Sequence, residues 1–190
     1  MALYAVSGAQ GCGKSTTLGE LEKLGFPVVS RKTSRSILAE WDTDLDTINN
    51  DPQLSMKFQR EIIERKFLDE QQAIKDDNIW FTERTYMDLF VYALINLGKH
   101  NEHSVWLDAY YDRCLELQQS YAGVFYIKSG KFDVVHDGIR GSNQHYSRLV
   151  DLTLKDYTST SMPTYYIHDV ATPDLDQRII QIQKTVQRKV

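Results

Sequence analysis

The segment GAQGCGKS, residues 8–15, combines glycines, a lysine and a serine at a spacing that suits the binding of a phosphate chain. Gly8, Gly11 and Gly13 allow the backbone to turn its N–H groups inward around an anion. The helix expected to begin at Lys14 adds the positive end of its dipole. The segment therefore predicts a phosphate-binding loop between a strand and a helix.

The polar side chains of this loop predict a nucleoside triphosphate with a bound metal ion. Lys14 is expected to reach the β- and γ-phosphates, Ser15 to ligate a bridging Mg²⁺, and Thr16 to bond an α-phosphate oxygen. ATP and Mg²⁺ are thus the expected cofactors. The residues expected to bind ATP are Gly8, Gly11, Cys12, Gly13, Lys14, Ser15 and Thr16.

A second polar group follows the apolar run at 79–82, where the segment IWFTERTYMDLFVYAL ends a strand with Glu83 and Arg84. Because the carboxyl ends of parallel strands meet at one edge of a sheet, Glu83 is expected to face the phosphate loop. Glu83 is also a candidate magnesium ligand beside Ser15. The alternative is a surface ion pair between Glu83 and Arg84 at the start of the next helix.

The same segment separates a kinase from other proteins with a phosphate loop. A guanine-specific switch requires D-x-x-G and N-K-x-D, and neither string occurs in the chain. A mechanical ATPase would end an apolar strand in Asp-Glu, whereas this strand ends in Glu-Arg. A kinase is therefore favoured over both.

A basic cluster follows the second predicted strand, in SRKTSRSIL at 30–38. A phosphate acceptor is already ionised near neutral pH and needs fixation by cations, which Lys32 and Arg35 could supply. A hydroxyl acceptor needs a general base instead, and Asp42 or Asp44 could supply one. An ordinary solvated helix start is the third possibility.

The elements that must position these residues alternate along the chain, which predicts a three-layer α/β fold with a five-stranded parallel sheet. A single domain is expected over residues 1–190. The expected strands cover 3–7, 26–30, 79–82, 124–128 and 164–168. The expected helices cover 14–24, 34–41, 52–76, 87–98, 104–121, 143–158 and 174–188.

Composition limits the partners. The net charge of −4 gives no overall attraction for nucleic acid or an anionic membrane, so an anionic ligand must be bound locally. Cys12 and Cys114 form no spaced framework, which favours a reducing, cytoplasmic location. No apolar run approaches the length of a membrane span.

The segment ERTYMDLFVYA resembles the E/D-R-[ST/G]-x-x-D-x-x-x-[YF] segment of thymidylate kinases, deoxynucleoside kinases and the group that includes nicotinamide riboside kinases. The resemblance places Glu83 near the metal and Arg84 near the transferred phosphoryl group or the acceptor. Asp88, in the same segment, is a candidate substrate-binding residue together with Lys32 and Arg35. In these nucleoside-type kinases a carboxylate follows the second strand, whereas Lys32 lies at or beside that position here.

The segment FDVVHDGIRGSNQHYSRL at 132–149 is similar to the DGxR stretch that covers the phosphates in the riboside-kinase group. The resemblance implies a closing lid over about 130–145, with Arg140 and Arg148 as catalytic cations and Asp137 holding the lid in register. The alternative is a solvated surface loop that turns at Asp137 and Gly138.

Together these features predict a nucleotide kinase that transfers the γ-phosphoryl group of ATP to a deoxynucleoside monophosphate, of the compact kind that bacteriophages carry. Its partner is then a small nucleotide in the cytoplasm, that of the host if a phage encodes the protein, and a homodimer is possible. One alternative acceptor is the hydroxyl of a nucleoside or nicotinamide riboside. Another is a hydroxymethylated base in DNA, which the acidic balance disfavours. A non-enzymatic ATP-binding regulator is the alternative from a different class.

Overall fold

The computed structural model describes residues 2–73, 75, 77–128 and 144–187. Its centre is a five-stranded sheet in which all pairs are parallel and the strand order is β2-β3-β1-β4-β5. The strands are β1 (Ala2–Ser7), β2 (Val28–Val29), β3 (Ile79–Glu83), β4 (Gly123–Ile127) and β5 (Ile167–Val170). The predicted five-stranded parallel sheet is confirmed.

The last strand begins three residues later than the sequence predicts. Residues Thr164–Tyr166 form a 3-10 turn directly after Pro163, and the extended backbone starts only at Ile167. Aromatic and β-branched residues therefore indicated the strand but not its first residue.

Eight α-helices surround the sheet in the described part of the chain. They are α1 (Lys14–Lys23), α2 (Thr33–Glu40), α3 (Leu45–Asn50), α4 (Pro52–Ala73), α5 (Tyr86–Leu97), α6 (Ser104–Gln118), α7 (Gln144–Ser161) and α8 (Leu175–Gln187). The sequence predicted all of them except α3. This short helix is fixed by its N-cap, where the Asp44 carboxylate accepts a hydrogen bond of 2.7 Å from the backbone N–H of Thr47.

Alternate residues of β1 pack into two different cores, which makes the fold three-layered. Tyr4 and Val6 lie in a core with Leu18 of α1 and with residues of α8. Leu3 and Ala5 lie in the opposite core with residues of α4, α5 and α6. The central strand is buried on both faces, as expected for a parallel sheet covered by helices on each side.

The strand register brings the candidate residues to one edge of the sheet. Val6 of β1 lies opposite Glu83 of β3, and β1 ends one residue later at Ser7, where the phosphate loop begins. The segment after β2 reaches the same edge because β2 runs parallel to β3. Among the described residues, no helix is both long and apolar enough to cross a membrane.

Candidate functional site

The phosphate loop uses backbone angles that favour glycine. Gly8, Gly11 and Gly13 have φ values of +140°, +77° and +88°. A Cβ atom on Gly8 would also overlap the carbonyl oxygen of Ile127, and one on Gly13 would lie 2.9 Å from Nη1 of Arg178. The loop therefore combines left-handed backbone with close packing from behind, which explains the spacing of its glycines.

Lys14 is folded over this loop. Its side chain is almost fully buried, and its Nζ donates to the carbonyl oxygens of Gly8 at 2.7 Å and Ala9 at 2.8 Å. A phosphate group in the loop would compete with these two carbonyl oxygens for the ammonium group. Lys14 thus lies over the loop, and its contact with the β- and γ-phosphates stays a prediction.

Ser15 and Glu83 join the phosphate loop to the end of β3. The Ser15 hydroxyl donates to Oε1 of Glu83 at 2.9 Å. The Glu83 side chain therefore lies against the phosphate loop. A surface ion pair with Arg84, the alternative considered from the sequence, does not explain this contact. A hydroxyl and a carboxylate at this separation are oxygen ligands of the kind that Mg²⁺ prefers, so these residues fit the metal that ATP brings.

Electrostatics keep the Glu83 carboxylate ionised. Burial raises its pKa, but the charges of Arg84 and Lys14 lower it. The hydroxyl of Ser15 and the backbone N–H of Lys32 also donate to the carboxylate and lower its pKa further, so the net shift is downward. Glu83 is accordingly a good metal ligand and a weak base.

Arg84 has a disfavoured backbone conformation and a free donor. Its φ is +69°, and its backbone N–H donates to the carbonyl oxygen of Val6 at 2.9 Å. The guanidinium lies 4.6 Å from the centre of the Tyr92 ring, and Nη1 is buried without a hydrogen-bond partner among the described residues. A buried guanidinium N–H of this kind is ready to bind an anion.

A cavity of about 470 Å³ opens beside the phosphate loop, between the segment after β2 and helices α2 to α5. This volume is in the range of small-molecule sites. Apolar side chains line part of it, namely Leu38, Leu45, Phe58, Ile62, Leu89 and Ile95. Amide side chains of Asn49, Asn50, Gln59 and Asn96 also border it.

Cations dominate the charged lining of the cavity. Glu83 is the single carboxylate among the described lining residues. The basic residues that border the cavity are Lys14, Lys32, Arg35, Lys66, Arg84 and Lys99. The cavity is therefore suited to an anionic ligand, although the whole chain carries a net negative charge.

The basic cluster after β2 divides into two parts. Lys32 and Arg35 line the cavity, and their contact with a substrate stays a prediction. Arg31, in contrast, forms an ion pair of 2.6 Å with Glu22 of α1 and lies against the carbonyl oxygen of Ser15. The left-handed backbone of Lys32, with φ of +61°, separates the directions of the two neighbouring side chains.

Asp88 is fully buried and lies outside the described cavity lining, so its predicted contact with the substrate has no support from the lining and stays a prediction. Its Oδ1 accepts hydrogen bonds from the hydroxyls of Ser7 at 2.5 Å and Thr85 at 2.7 Å, and its backbone N–H donates back to Thr85. Asp88 thus fastens the first turn of α5 to the end of β1, below the site.

The two candidate bases beyond α2 are also absent from the described lining. Asp44 caps α3, and its pKa is lowered because the backbone N–H of Thr47 donates to it. Asp42 has left-handed backbone with φ of +48° at the end of α2 and does not border the cavity. Neither carboxylate therefore faces the described cavity.

Part of the predicted lid lies outside the described residues, including Asp137 and Arg140. Arg148 is described and lies on the exposed side of α7, outside the cavity lining. Tyr146 of the same helix does line the cavity. Catalytic roles for Arg140 and Arg148 therefore stay predictions.

Arg178 is a residue of the site that sequence reasoning missed. It lies on α8, is 1% exposed, and approaches the phosphate loop from behind. Its Nη1 donates to Oγ1 of Thr17 at 2.8 Å and to the carbonyl oxygen of Gly13 at 3.4 Å, and Nη2 donates to the carbonyl oxygen of Thr172. Since Arg178 is more than 160 positions from Gly13 and Thr17, no local pattern could reveal its contacts with the phosphate loop.

We expect Arg178→Met to raise the KM for ATP by about 3- to 10-fold, because a buried positive charge behind the loop is lost. The melting temperature should also fall, since the hydrogen bonds to Thr17 and Gly13 disappear. Lys184→Met is the matched control, because it removes one positive charge from the exposed side of the same helix. Equal KM values for ATP in the two variants would contradict this role.

The chain matches the protein family described as AAA domain over residues 3–178. A search of curated proteins gave no significant match. Among solved structures, a deoxyadenosine kinase from M. mycoides with bound dATP is 18% identical, with coverage of 97% of this chain and 99% of that chain and a TM-score of 0.74. The same kinase with its products dCMP and a flexible dCDP gives 17% identity, coverage of 98% and 99%, and a TM-score of 0.71.

A third solved structure, the NadR protein in complex with NR, is 13% identical with a TM-score of 0.77. The match covers 96% of this chain but 51% of NadR, so the chain spans about half the length of that protein. At these identities the similarity concerns the fold. The predicted fold of a P-loop nucleoside or nucleotide kinase is thereby confirmed.

Proposed function

The chain belongs to the AAA domain family, and from this membership and its nucleoside-kinase fold we propose that it is a P-loop kinase. The proposed reaction transfers the γ-phosphoryl group of ATP, with Mg²⁺, to a deoxynucleoside monophosphate or nucleoside monophosphate. The observation that carries the choice of acceptor is the charge of the cavity. Its described lining has one carboxylate and six basic residues, of which Lys66 is paired with a buried carboxylate, that of Glu70.

Different residues at the sheet edge are proposed to bind the phosphates of ATP and the phosphate of the acceptor. Lys14 and the N–H groups of the loop bind the phosphates of ATP. Ser15 and Glu83 would hold Mg²⁺, which would supply positive charge to neutralise the phosphates of ATP. Arg84, whose Nη1 has no hydrogen-bond partner among the described residues, lies next to Glu83 and is positioned to stabilise charge on the transferred group.

The acceptor phosphate is assigned to Lys32 and Arg35. Both border the cavity beyond the phosphate loop, and a forked guanidinium can bind two phosphate oxygens at once. The apolar side chains of α2, α4 and α5 that line the cavity are suited to contact the base. This division fits a nucleotide, which has one anionic end and one largely apolar end.

The lack of a free base in the described lining supports a phosphate acceptor over a hydroxyl acceptor. A hydroxyl must lose its proton as the new P–O bond forms, which requires a general base within hydrogen-bond reach. Glu83 is engaged by Ser15, and its lowered pKa makes it a weak base. An oxygen of a monophosphate is ionised near neutral pH and needs no base.

A hydroxyl acceptor is the second candidate function, because solved structures with this fold include a deoxyadenosine kinase and NadR bound to NR. In that case Glu83, the carboxylate of the described lining, would accept the proton of the acceptor hydroxyl, and Ser15 would hold the metal ion. The −4 net charge favours a free small molecule over a base within DNA.

The free, buried thiols of Cys12 and Cys114 support a reducing cytoplasm as the location.

We expect monophosphates to be better acceptors than the corresponding nucleosides. Arg35→Ala should lower kcat/KM for a monophosphate by about 10- to 100-fold, since charge-assisted hydrogen bonds are lost, and should leave nucleoside turnover unchanged. The measurement is γ-phosphoryl transfer from labelled ATP to matched nucleoside and monophosphate pairs.

Arg60→Ala is the control for this experiment, because Arg60 is exposed on α4 and does not border the cavity. A nucleoside preference that Arg35→Ala leaves unchanged would reject the nucleotide-kinase assignment. Such a result would still allow a P-loop kinase that acts on a hydroxyl. Hydrolysis of ATP without transfer to any acceptor would favour the ATP-binding regulator.

A further inference from the structure

A buried ion pair lies directly beneath the candidate site, on helix α4. Lys66 and Glu70 are 2% and 1% exposed, and Nζ of Lys66 lies 2.6 Å from Oε1 of Glu70. Burying two opposite charges is costly, and apolar side chains of similar volume often stabilise a core as well or better. A contribution to fold stability is therefore a weak explanation for the presence of the Lys66–Glu70 ion pair.

The contacts of Lys66 point to the end of β3. Its Nζ donates to the hydroxyl of Thr82 at 2.7 Å and to the backbone carbonyl oxygen of Glu83 at 3.1 Å, in addition to Glu70. An ammonium group has three N–H donors, and these three acceptors use all of them. Although Lys66 borders the cavity, it has no donor left for a bound phosphate.

The carbonyl that Lys66 binds belongs to the peptide between Glu83 and Arg84. Arg84 has a φ of +69°, a region that side-chain-bearing residues rarely adopt. The N–H of this peptide donates to the carbonyl oxygen of Val6 at 2.9 Å, and its carbonyl accepts from Lys66. The peptide is thus held at both polar atoms in a conformation that would otherwise relax.

Glu70 is fixed in turn by an aromatic pair. The hydroxyl of Tyr121 donates to the Glu70 carboxylate, with distances of 3.2 and 3.3 Å to its two oxygens. The ring of Tyr121 stacks on that of Tyr86, the first residue of α5, and Nζ of Lys66 lies 5.5 Å from the centre of the Tyr86 ring. The ion pair is therefore enclosed by the two tyrosine rings, and these contacts hold the ammonium group of Lys66 toward β3.

We propose that Lys66, oriented by Glu70, is a positioning residue that fixes the peptide between Glu83 and Arg84 and so aims both side chains at the phosphates. Glu83 is turned toward Ser15 on one side of this peptide, and the guanidinium of Arg84 lies over Tyr92 on the other. A rotation of the peptide would move both groups at once. The kinetic consequence rests on the proposed phosphoryl transfer, whereas the effect on the backbone does not.

The test is the double variant Lys66→Met/Glu70→Gln, which removes both charges, approximately keeps the volume and retains an acceptor for Tyr121. We expect kcat to fall by about 10²-fold, because misplacement of catalytic groups by about 1 Å has an effect of this size. The KM for ATP should change less than about threefold, since the phosphate loop is intact. The acceptor is the nucleoside or monophosphate that the unaltered protein uses best.

Leu154→Ala is the control for lost stability, because Leu154 is fully buried in α7 and does not line the cavity. It should lower the melting temperature and leave kcat unchanged. A double variant with normal kcat, or with a raised KM for ATP as its main defect, would overturn the positioning role.

Hydrogen exchange of peptides that cover 79–88 gives a readout that needs no acceptor. Each variant is measured at the same number of degrees below its own melting temperature. Under this condition we expect faster exchange of these peptides in the double variant than in Leu154→Ala. If the unaltered protein transfers phosphate to no acceptor, the proposed function fails, and hydrogen exchange alone decides the positioning role. Equal exchange in the two variants would then reject it.

Discussion

Lys14→Ala should reduce phosphoryl transfer by about 10³-fold or more, because the ammonium that neutralises charge on the transferred phosphate is lost. The structure places this group over the loop, bound to the carbonyl oxygens of Gly8 and Ala9. The measurement is labelled γ-phosphoryl transfer at saturating acceptor. Circular dichroism and the melting temperature report whether the variant is folded.

Some loss of stability is expected from Lys14→Ala, since two loop carbonyls lose a donor, and this loss should not exceed about 1–3 kcal/mol. Lys23→Ala serves as the control, because Lys23 lies on the same helix and its exposed ammonium pairs with Glu20 at the protein surface. A folded Lys14→Ala protein with the turnover of Lys23→Ala would disprove the kinase assignment itself.

Glu83→Gln should lower kcat by about 10²-fold and raise the Mg²⁺ concentration needed for half-maximal rate. The substitution keeps the shape of the side chain and removes the charge that faces Ser15 and the metal. A magnesium titration at fixed ATP separates this effect from weaker ATP binding. Glu64→Gln, on the exposed side of α4, makes the same chemical change away from the cavity.

The difference in stability between the unaltered protein and Glu83→Gln should decrease as the pH falls. Because the pKa of Glu83 is lowered in the folded protein, its charge stabilises the fold above the ordinary glutamate pKa of about 4.3. That contribution is lost as the pH falls through the lowered pKa. The gap in melting temperature between the unaltered protein and the variant should therefore be largest near neutral pH and shrink below about pH 4. A gap that widens on acidification would contradict the lowered pKa.

Local patterns identified the phosphate loop and most elements of the fold. The loop is encoded in eight consecutive residues, 8–15, whose glycines are required by local backbone angles. The strands and long helices follow from the periodicity of apolar residues, which acts over short windows. The short helix α3 was missed because its stability depends on the cap at Asp44 and on packing against α4, not on periodicity.

The role of an individual residue was harder to predict where the side chains of adjacent residues point in different directions. Arg31 and Lys32 are adjacent in sequence, yet the left-handed backbone at Lys32 leaves one at α1 and the other at the cavity. Asp88 lies in a segment that resembles nucleoside kinases, and its burial against Ser7 became visible only in three dimensions. Both outcomes depend on backbone direction and packing, which composition and spacing do not contain.

The phosphate loop and the pair Glu83 and Arg84 could be predicted because each lies within a few consecutive residues, and the parallel α/β fold because strand and helix patterns alternate along the chain. The cation-rich lining of the cavity, the contact of Arg178 with the loop and the buried Lys66–Glu70 pair could not be predicted in this way. The cavity lining and the Arg178 contact join side chains from distant parts of the chain. Even Lys66 and Glu70, four residues apart on one helix, look like an ordinary surface pair until packing buries them beneath β3. The physical reason is that strand register and helix packing, not local preference, determine which distant side chains meet.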